Sequence, residues 1–384
     1  MSGPATSQTQ PAVNDGRPSR VAKFEAMNTL VTIQVVGPTP GVDQALAAAE
    51  QVFRRVEESC TRFDPESPLM KANRAGADWN AVPSECYLAL SEAARAYQET
   101  RGLFDPRVLE SLVALGYDRT FPFRTGSAER AAPSKLAATR SQVAPWQPSF
   151  DATGSRVRLG PRPVDLGGIG KGVAVRLASE VLAAAGRAHV VEAGGDCHLR
   201  GGGLDGAGWK VGVEDPMGGA DPIAVLKLRD VGCATSSIRY RNWKVGDEDA
   251  HHLIDPRTGS SAKGGVRSVT VVGPDTARDE VWSKALLIAG KDQVGPLADR
   301  HGLAALWVED DGRVGLSSAM SPWIMWLKGG GQGTGSQPAL LGNLDVAELA
   351  PHLRTALEDR AAMLRLLARM MQMGQSTKRF PVRI

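Results

Sequence analysis

Residues 164–172 read Val-Asp-Leu-Gly-Gly-Ile-Gly-Lys-Gly and constrain the fold more than any other segment. An apolar entry is followed by four glycines, and an amphipathic stretch over 173–186 then leaves. The pattern predicts a strand, a tight turn and a helix. Glycines let backbone approach a ligand closely, and a helix N-terminus offers free N–H groups to an anion. Lys171 adds a charge. The segment is neither a Walker loop nor a G-x-G-x-x-G turn: Asp165 stands where the first Walker glycine belongs, and Gly172 follows Lys171 in place of Ser or Thr. Asp165 also opposes a bare phosphate cradle, because a carboxylate repels phosphate unless a metal or donor intervenes. Taken alone, the segment fits a structural turn as well as a ligand turn.

The elements around it alternate between strand and helix. Residues 29–36 are β-branched and alternating, and strands are also expected at 188–193, 209–213, 223–228, 267–272 and 304–308. Helical spacing marks 42–58, 82–101 and 277–289, and a hairpin fits 150–159. Residues 119–150 read as a long excursion with one short helix at 133–140. The order implies an α/β or α+β body with a mixed sheet and flanking helices. Residues 1–20 read as a disordered leader, 21–328 as one domain, 329–343 as a Gly-rich linker and 344–384 as a helical tail. The tail's apolar stripe either covers a core edge or supports an oligomer.

Composition narrows the function. The 384 residues carry 42% apolar side chains and a net charge of +3, which gives no field for nucleic acid. Cys60, Cys86, Cys197 and Cys233 form no CxxC pair and no zinc spacing, so reduced thiols are expected. The N-terminal residues show neither the apolar core of a secretion signal nor a lipobox, and no run reaches the length of a membrane span. A cytoplasmic location is the default expectation.

Two further turns carry polar groups. Ala193-Gly194-Gly195-Asp196 ends a strand, and His251-His252-Leu253-Ile254-Asp255-Pro256-Arg257-Thr258-Gly259 packs an imidazole, a carboxylate and a guanidinium into one turn. With 164–172 and Ala234-Thr235-Ser236, these segments resemble, in order, the motifs of the ApbE-type FAD:protein FMN transferases. Ala26-Met27-Asn28-Thr29, Arg62-Phe63-Asp64-Pro65-Glu66-Ser67, Gly102-Leu103-Phe104-Asp105-Pro106 and Trp209–Val213 agree, and the likeness spans about residues 22–318.

The resemblance implies an α/β fold that binds FAD, with Mg²⁺ at the pyrophosphate. It implies transfer of FMN from FAD to a Thr or Ser of a target flavoprotein, with release of AMP. It implies FAD contacts from Met27, Phe63, Leu103, Phe104, Asp105, Asp165, Lys171 and His252, of which His252 and Asp165 are the candidate catalytic groups. His252 would take or orient a proton, and Arg257 either joins the site or clamps Asp255.

The family's metal is implied to rest on an Asp and a Thr four residues apart and on a backbone carbonyl, here from Gly168. This chain has Glu280 and Lys284 at those two positions. Glu can bind Mg²⁺ but an ammonium has no lone pair to give. Lys284 therefore either places a fixed cation at the pyrophosphate or closes the metal site against Glu280. Asp279 could substitute as a ligand. Asn28 and Phe63 are smaller departures, replacing a glycine and an aromatic hydroxyl. Two alternatives stand beside the transferase: a protein that holds FAD without processing it, and an unrelated phosphate-binding α/β enzyme.

Overall fold

In the computed structural model the described residues are 8–14, 17–119 and 144–329. The helix expected at 133–140, the linker from 330 and the tail at 344–384 lie outside them. The central element is a nine-stranded sheet. Its strands are Gln8–Asn14, Arg17–Ala26, Thr29–Pro38, Gly186–Ala193, Asp196–Arg200, Val231–Ser237, Val266–Gly273, Ala304–Glu309 and Val314–Leu316, lying side by side in chain order.

Every pairing in this sheet is antiparallel, which corrects the mixed sheet expected from the sequence. Alternating strands and helices suggest parallel crossovers only when the helix carries the chain back in the same direction. Here the helices sit in two excursions, and each returns the chain beside the strand it left. The first excursion holds α1 (Val42–Cys60), α2 (Pro68–Ala75), α3 (Ser84–Glu99), α4 (Leu109–Ala114) and α5 (Gly170–Val181). The second holds α6 (Thr276–Ala289) and α7 (Lys291–Arg300). The hairpin expected at 150–159 is formed by Ser149–Asp151 and Arg156–Arg158.

The described residues within the expected disordered leader, 8–14 and 17–20, lie in strands. Pairing along a sheet edge satisfies backbone groups without requiring apolar side chains, so composition does not reveal it.

Strand alternation divides the core. Val31, Ile33 and Val35 face α1, α3 and α5, whereas Val36 faces the opposite layer. That layer is closed by a second antiparallel sheet of Trp209–Val213, Ala224–Leu228 and Ile324–Leu327. On α1, Leu46, Ala49, Val52, Phe53 and Val56 form the buried stripe that the helical period requires. A third cluster places Trp282 and Leu286 of α6 against Val269 and Val271. Among the described residues no helix is long and apolar enough to cross a membrane.

One close approach sets up the site. A Cβ on Gly172 would lie 2.6 Å from the Ala277 Cα and 2.7 Å from the Thr276 carbonyl oxygen. Glycine there lets the start of α5 press directly on the start of α6, bringing Lys171 beside Glu280.

Candidate active site

The motif residues meet in a cleft of about 1090 Å³, large for a small-molecule site. Met27, Phe63, Leu103, Phe104, Asp105, Asp165, Gly168, Lys171, His252 and Lys284 all line it. A smaller cavity of about 360 Å³ shares Thr29, Gly167, Lys171, Arg241, His252 and Lys284 with the cleft. Glu280 lines neither and is fully buried behind this shared wall.

One wall is aromatic. The Arg62 guanidinium lies 4.4 Å from the ring centroids of both Phe63 and Tyr117. Its Nε meets Asp165 Oδ2 at 2.9 Å, and its Nη1 donates to the Tyr117 carbonyl at 2.6 Å. Phe63 remains 40% exposed, so one part of its ring is free to stack on a planar ligand. Asp165 Oδ1 accepts the Gly167 N–H at 2.7 Å, and the Asp165 N–H donates to the Pro106 carbonyl at 2.7 Å. Its carboxylate is therefore held by Arg62 and shapes the glycine turn. Asp105 is likewise committed, accepting from Arg107 Nε and Nη2 at 3.0 and 2.8 Å.

Met27 and Asn28 sit at φ 52° and 58°, forming the two-residue turn between paired Ala26 and Thr29. Both residues of such a turn need positive φ, which is unfavourable for a residue as large as Met. The turn is held by the Met27 N–H, which donates to Glu57 Oε1 at 2.7 Å. The Met27 methyl lies 3.3 Å from the position of a Cβ on Gly170, so the side chain packs on the glycine turn.

A charged network fills the base. Glu280 Oε2 accepts the Gly172 N–H at 2.7 Å, and Oε1 accepts Lys171 Nζ at 2.9 Å and Lys284 Nζ at 3.0 Å. Lys171 also donates to Asp196. The anion at this helix N-terminus is thus the protein's own carboxylate. Burial opposes the charge on Glu280, but the two lysines hold its carboxyl down at about 2. Burial raises Asp196 to about 6 despite Lys171. Burial also works against the Lys171 ammonium, yet Asp196 and Glu280 outweigh it and raise its pKa. For Lys284 burial prevails over Glu280, and the pKa is lowered.

These residues do not fit a bound Mg²⁺. Both Glu280 oxygens are occupied and the neighbouring side chain is an ammonium. Among the described residues no group of three or more His, Cys, Asp or Glu side chains could hold a metal. Asp279 does not substitute: it is buried against Gly232 and Gly273, and it lines neither cavity. The rotation between adjacent helical positions, about 100°, points it away from Glu280.

His252 Nδ1 lies 3.2 Å from the Arg241 carbonyl oxygen. Donation there leaves Nε2 as a proton acceptor. Burial, reinforced by the Arg241 charge, holds the imidazole well below its ordinary pKa and therefore neutral. The rest of this polar turn is structural. Arg257 clamps Asp255 through Nε and Nη2 at 2.9 and 2.8 Å, and its Nη2 also donates to the Ile288 carbonyl near the end of α6 at 3.1 Å. Gly194 and Gly195, both at positive φ, form a two-residue hairpin turn along the smaller cavity.

Sequence reasoning missed Arg62, Tyr117, Arg241 and the role of Asp196. Arg62 stood beside Phe63 in a motif already singled out, but its role needs Asp165, far away in the chain. Arg241 carries no local signal. Among the described residues no carboxylate lies within 4 Å of its guanidinium, although it lines both cavities.

The fold is shared with flavin transferases of known structure. The ApbE protein of Thermotoga maritima aligns with a TM-score of 0.66 and 26% identity, covering 83% of this chain and 99% of that one. The ApbE family model matches residues 27–307, and the chain belongs to the ApbE family. The FAD:protein FMN transferase of Salmonella typhimurium is 27% identical over 335 residues, covering 83% of this chain and 90% of the relative. That of Rhodobacter capsulatus is 28% identical over 314 residues, covering 80% of this chain and 58% of the relative.

Proposed function

We propose that this chain is an FAD:protein FMN transferase, moving the FMN half of FAD onto a Thr or Ser hydroxyl of a target flavoprotein. The observation that carries the reading is His252, its Nδ1 held by the Arg241 carbonyl, on a wall with Lys284 and Arg241 that lines both cavities. The larger cleft has room and an aromatic wall for the dinucleotide. The smaller cavity gives an acceptor hydroxyl a route to the same wall.

In the reaction the acceptor oxygen attacks the FMN-side phosphorus. The bond from that phosphorus to the bridging oxygen breaks, and AMP leaves with that oxygen. His252 Nε2 takes the hydroxyl proton, while Lys284 and Arg241 offset charge on the phosphates. Asp165 acts by position, fixing the glycine turn through Gly167 and orienting Arg62. Phe63 and Met27 contact the ring system. No step runs through a divalent cation, because Glu280 and Lys284 hold each other.

The test is to incubate the chain with FAD and an acceptor flavoprotein and to follow AMP and covalent flavin. Equal amounts of both support the reading; acceptor left unlabelled opposes it. The second reading, a protein that only holds FAD, is favoured by the Glu280–Lys284 pair. It expects tight binding and no AMP in the same experiment.

A further inference from the structure

The charge opposite the pyrophosphate has a source in this chain other than a metal. Resting on the transferase reading, we propose that the Lys284 ammonium stands in for the divalent cation, with Arg241 on the same wall, so that FAD is bound and cleaved without added metal. Three observations carry this. First, both Glu280 oxygens already have partners: Oε2 accepts the Gly172 N–H, and two lysine ammonium groups share Oε1 at 2.9 and 3.0 Å. Mg²⁺ requires oxygen ligands at about 2.0–2.1 Å in near-octahedral array, which an oxygen flanked by two cations cannot help to build.

Second, the Lys284 stem runs across the glycine turn. Its Cδ and Cε lie 3.4 and 3.6 Å from the position of a Cβ on Gly168, so the stem packs directly over the glycine. The residue thus reaches the turn whose Gly168 carbonyl the family resemblance assigns to the metal. Third, Arg241 lines both cavities with Lys284 and, among the described residues, has no carboxylate within 4 Å. A guanidinium can grip phosphate oxygens bidentately while the ammonium acts as a compact point charge.

The test measures FAD affinity of the full chain by flavin fluorescence, in EDTA and in excess Mg²⁺. Electron paramagnetic resonance of added Mn²⁺ is recorded on the FAD-loaded chain. The expected result is a Kd equal within about twofold in the two conditions and no protein-bound Mn²⁺ signal. Lys284→Met should weaken FAD about tenfold or more, without rescue by Mg²⁺, and Lys284→Arg should retain most of the affinity. The double change Glu280→Asp with Lys284→Thr, which rebuilds the family pair, should make binding depend on Mg²⁺. Wild-type chain that binds FAD only with Mg²⁺, or that holds Mn²⁺, overturns the proposal. FAD held in EDTA with no AMP on addition of acceptor, in EDTA or in Mg²⁺, leaves metal-free binding through Lys284 standing and removes the transferase reading, and metal-free cleavage with it. AMP released only with Mg²⁺ does the reverse.

Discussion

Two sets of ion pairs stand out in the polar motifs, and they serve opposite ends. Lys171, Asp196, Glu280 and Lys284 come from α5, a central strand and α6, and they converge on the floor of the cleft. Asp255 and Arg257 are two residues apart, and their pair fixes a turn and the end of α6. Glu280 is fully buried, whereas the Arg257 side chain is 59% exposed. A local pair can form as soon as the turn forms and is worth little in water. A buried, long-range network requires the whole fold to assemble it and is costly to break at one member. Lys171 and Lys284 of the network line the cleft, whereas Asp255 and Arg257 do not, and the turn brings His252 to it with Leu253 and Ile254.

That contrast breaks most directly at His252. His252→Ala should lower FMN transfer about 10²–10⁴-fold, the usual worth of a positioned base, with FAD still bound. Covalent flavin per unit time and FAD fluorescence together check it; transfer at the wild-type rate would remove the base assignment. Gly172→Ala comes next. Its new Cβ would meet Ala277 and Thr276 backbone, so α5 and α6 must separate, costing about 1–3 kcal/mol and loosening Lys171 from Glu280. A urea titration and an FAD titration should show both losses.

Arg257→Ala should move the other way round. Loss of an exposed pair and one bond to Ile288 should cost about 1 kcal/mol and leave transfer unchanged. A thermal melt beside a transfer assay decides it, and a fall in transfer matching that of His252→Ala would erase the distinction between the two sets.

The smallest effect is at Glu192, which lines the smaller cavity. Burial raises its carboxyl from 4.5 to about 7, the Gly195 N–H opposing and Asp196 adding to the rise. The folded state thus holds a proton that the unfolded state gives up, and stability is lost as pH rises from 4.5 through about 7. Glu192→Gln imitates the protonated form. It should melt a few degrees, about 2–4 °C, above wild type at pH 8 and level with it at pH 4. No difference at pH 8 would mean that Glu192 is solvated in the fold.

How far the sequence reveals this follows from the same contrast. Strands such as Trp209–Val213 and helices such as α6 were legible because alternation and helical period are local properties. At 164–172 the turn and the helix were legible, with α5 beginning at Gly170 and taking in the Gly-Lys-Gly segment, but the strand expected ahead of the turn does not form: 163–166 pair with no sheet, and Asp165 is held instead by Arg62 and the Pro106 carbonyl. Strand direction was not, because it depends on where each excursion returns. At the site, the motif residues do gather in one cleft, but their couplings could not be read. Asp165 meets Arg62, and Lys171 meets Asp196 and Glu280, through contacts made only by the folded chain. The Glu280–Lys284 pairing, four residues apart on one helix, was the exception.

The most direct test of the central claim is intact-mass spectrometry of an acceptor flavoprotein incubated with the chain and FAD, with AMP measured in the same sample. One FMN added to the acceptor for each AMP released is the expected result. FAD split to free FMN and AMP with the acceptor unmodified, or FAD left whole, would contradict it.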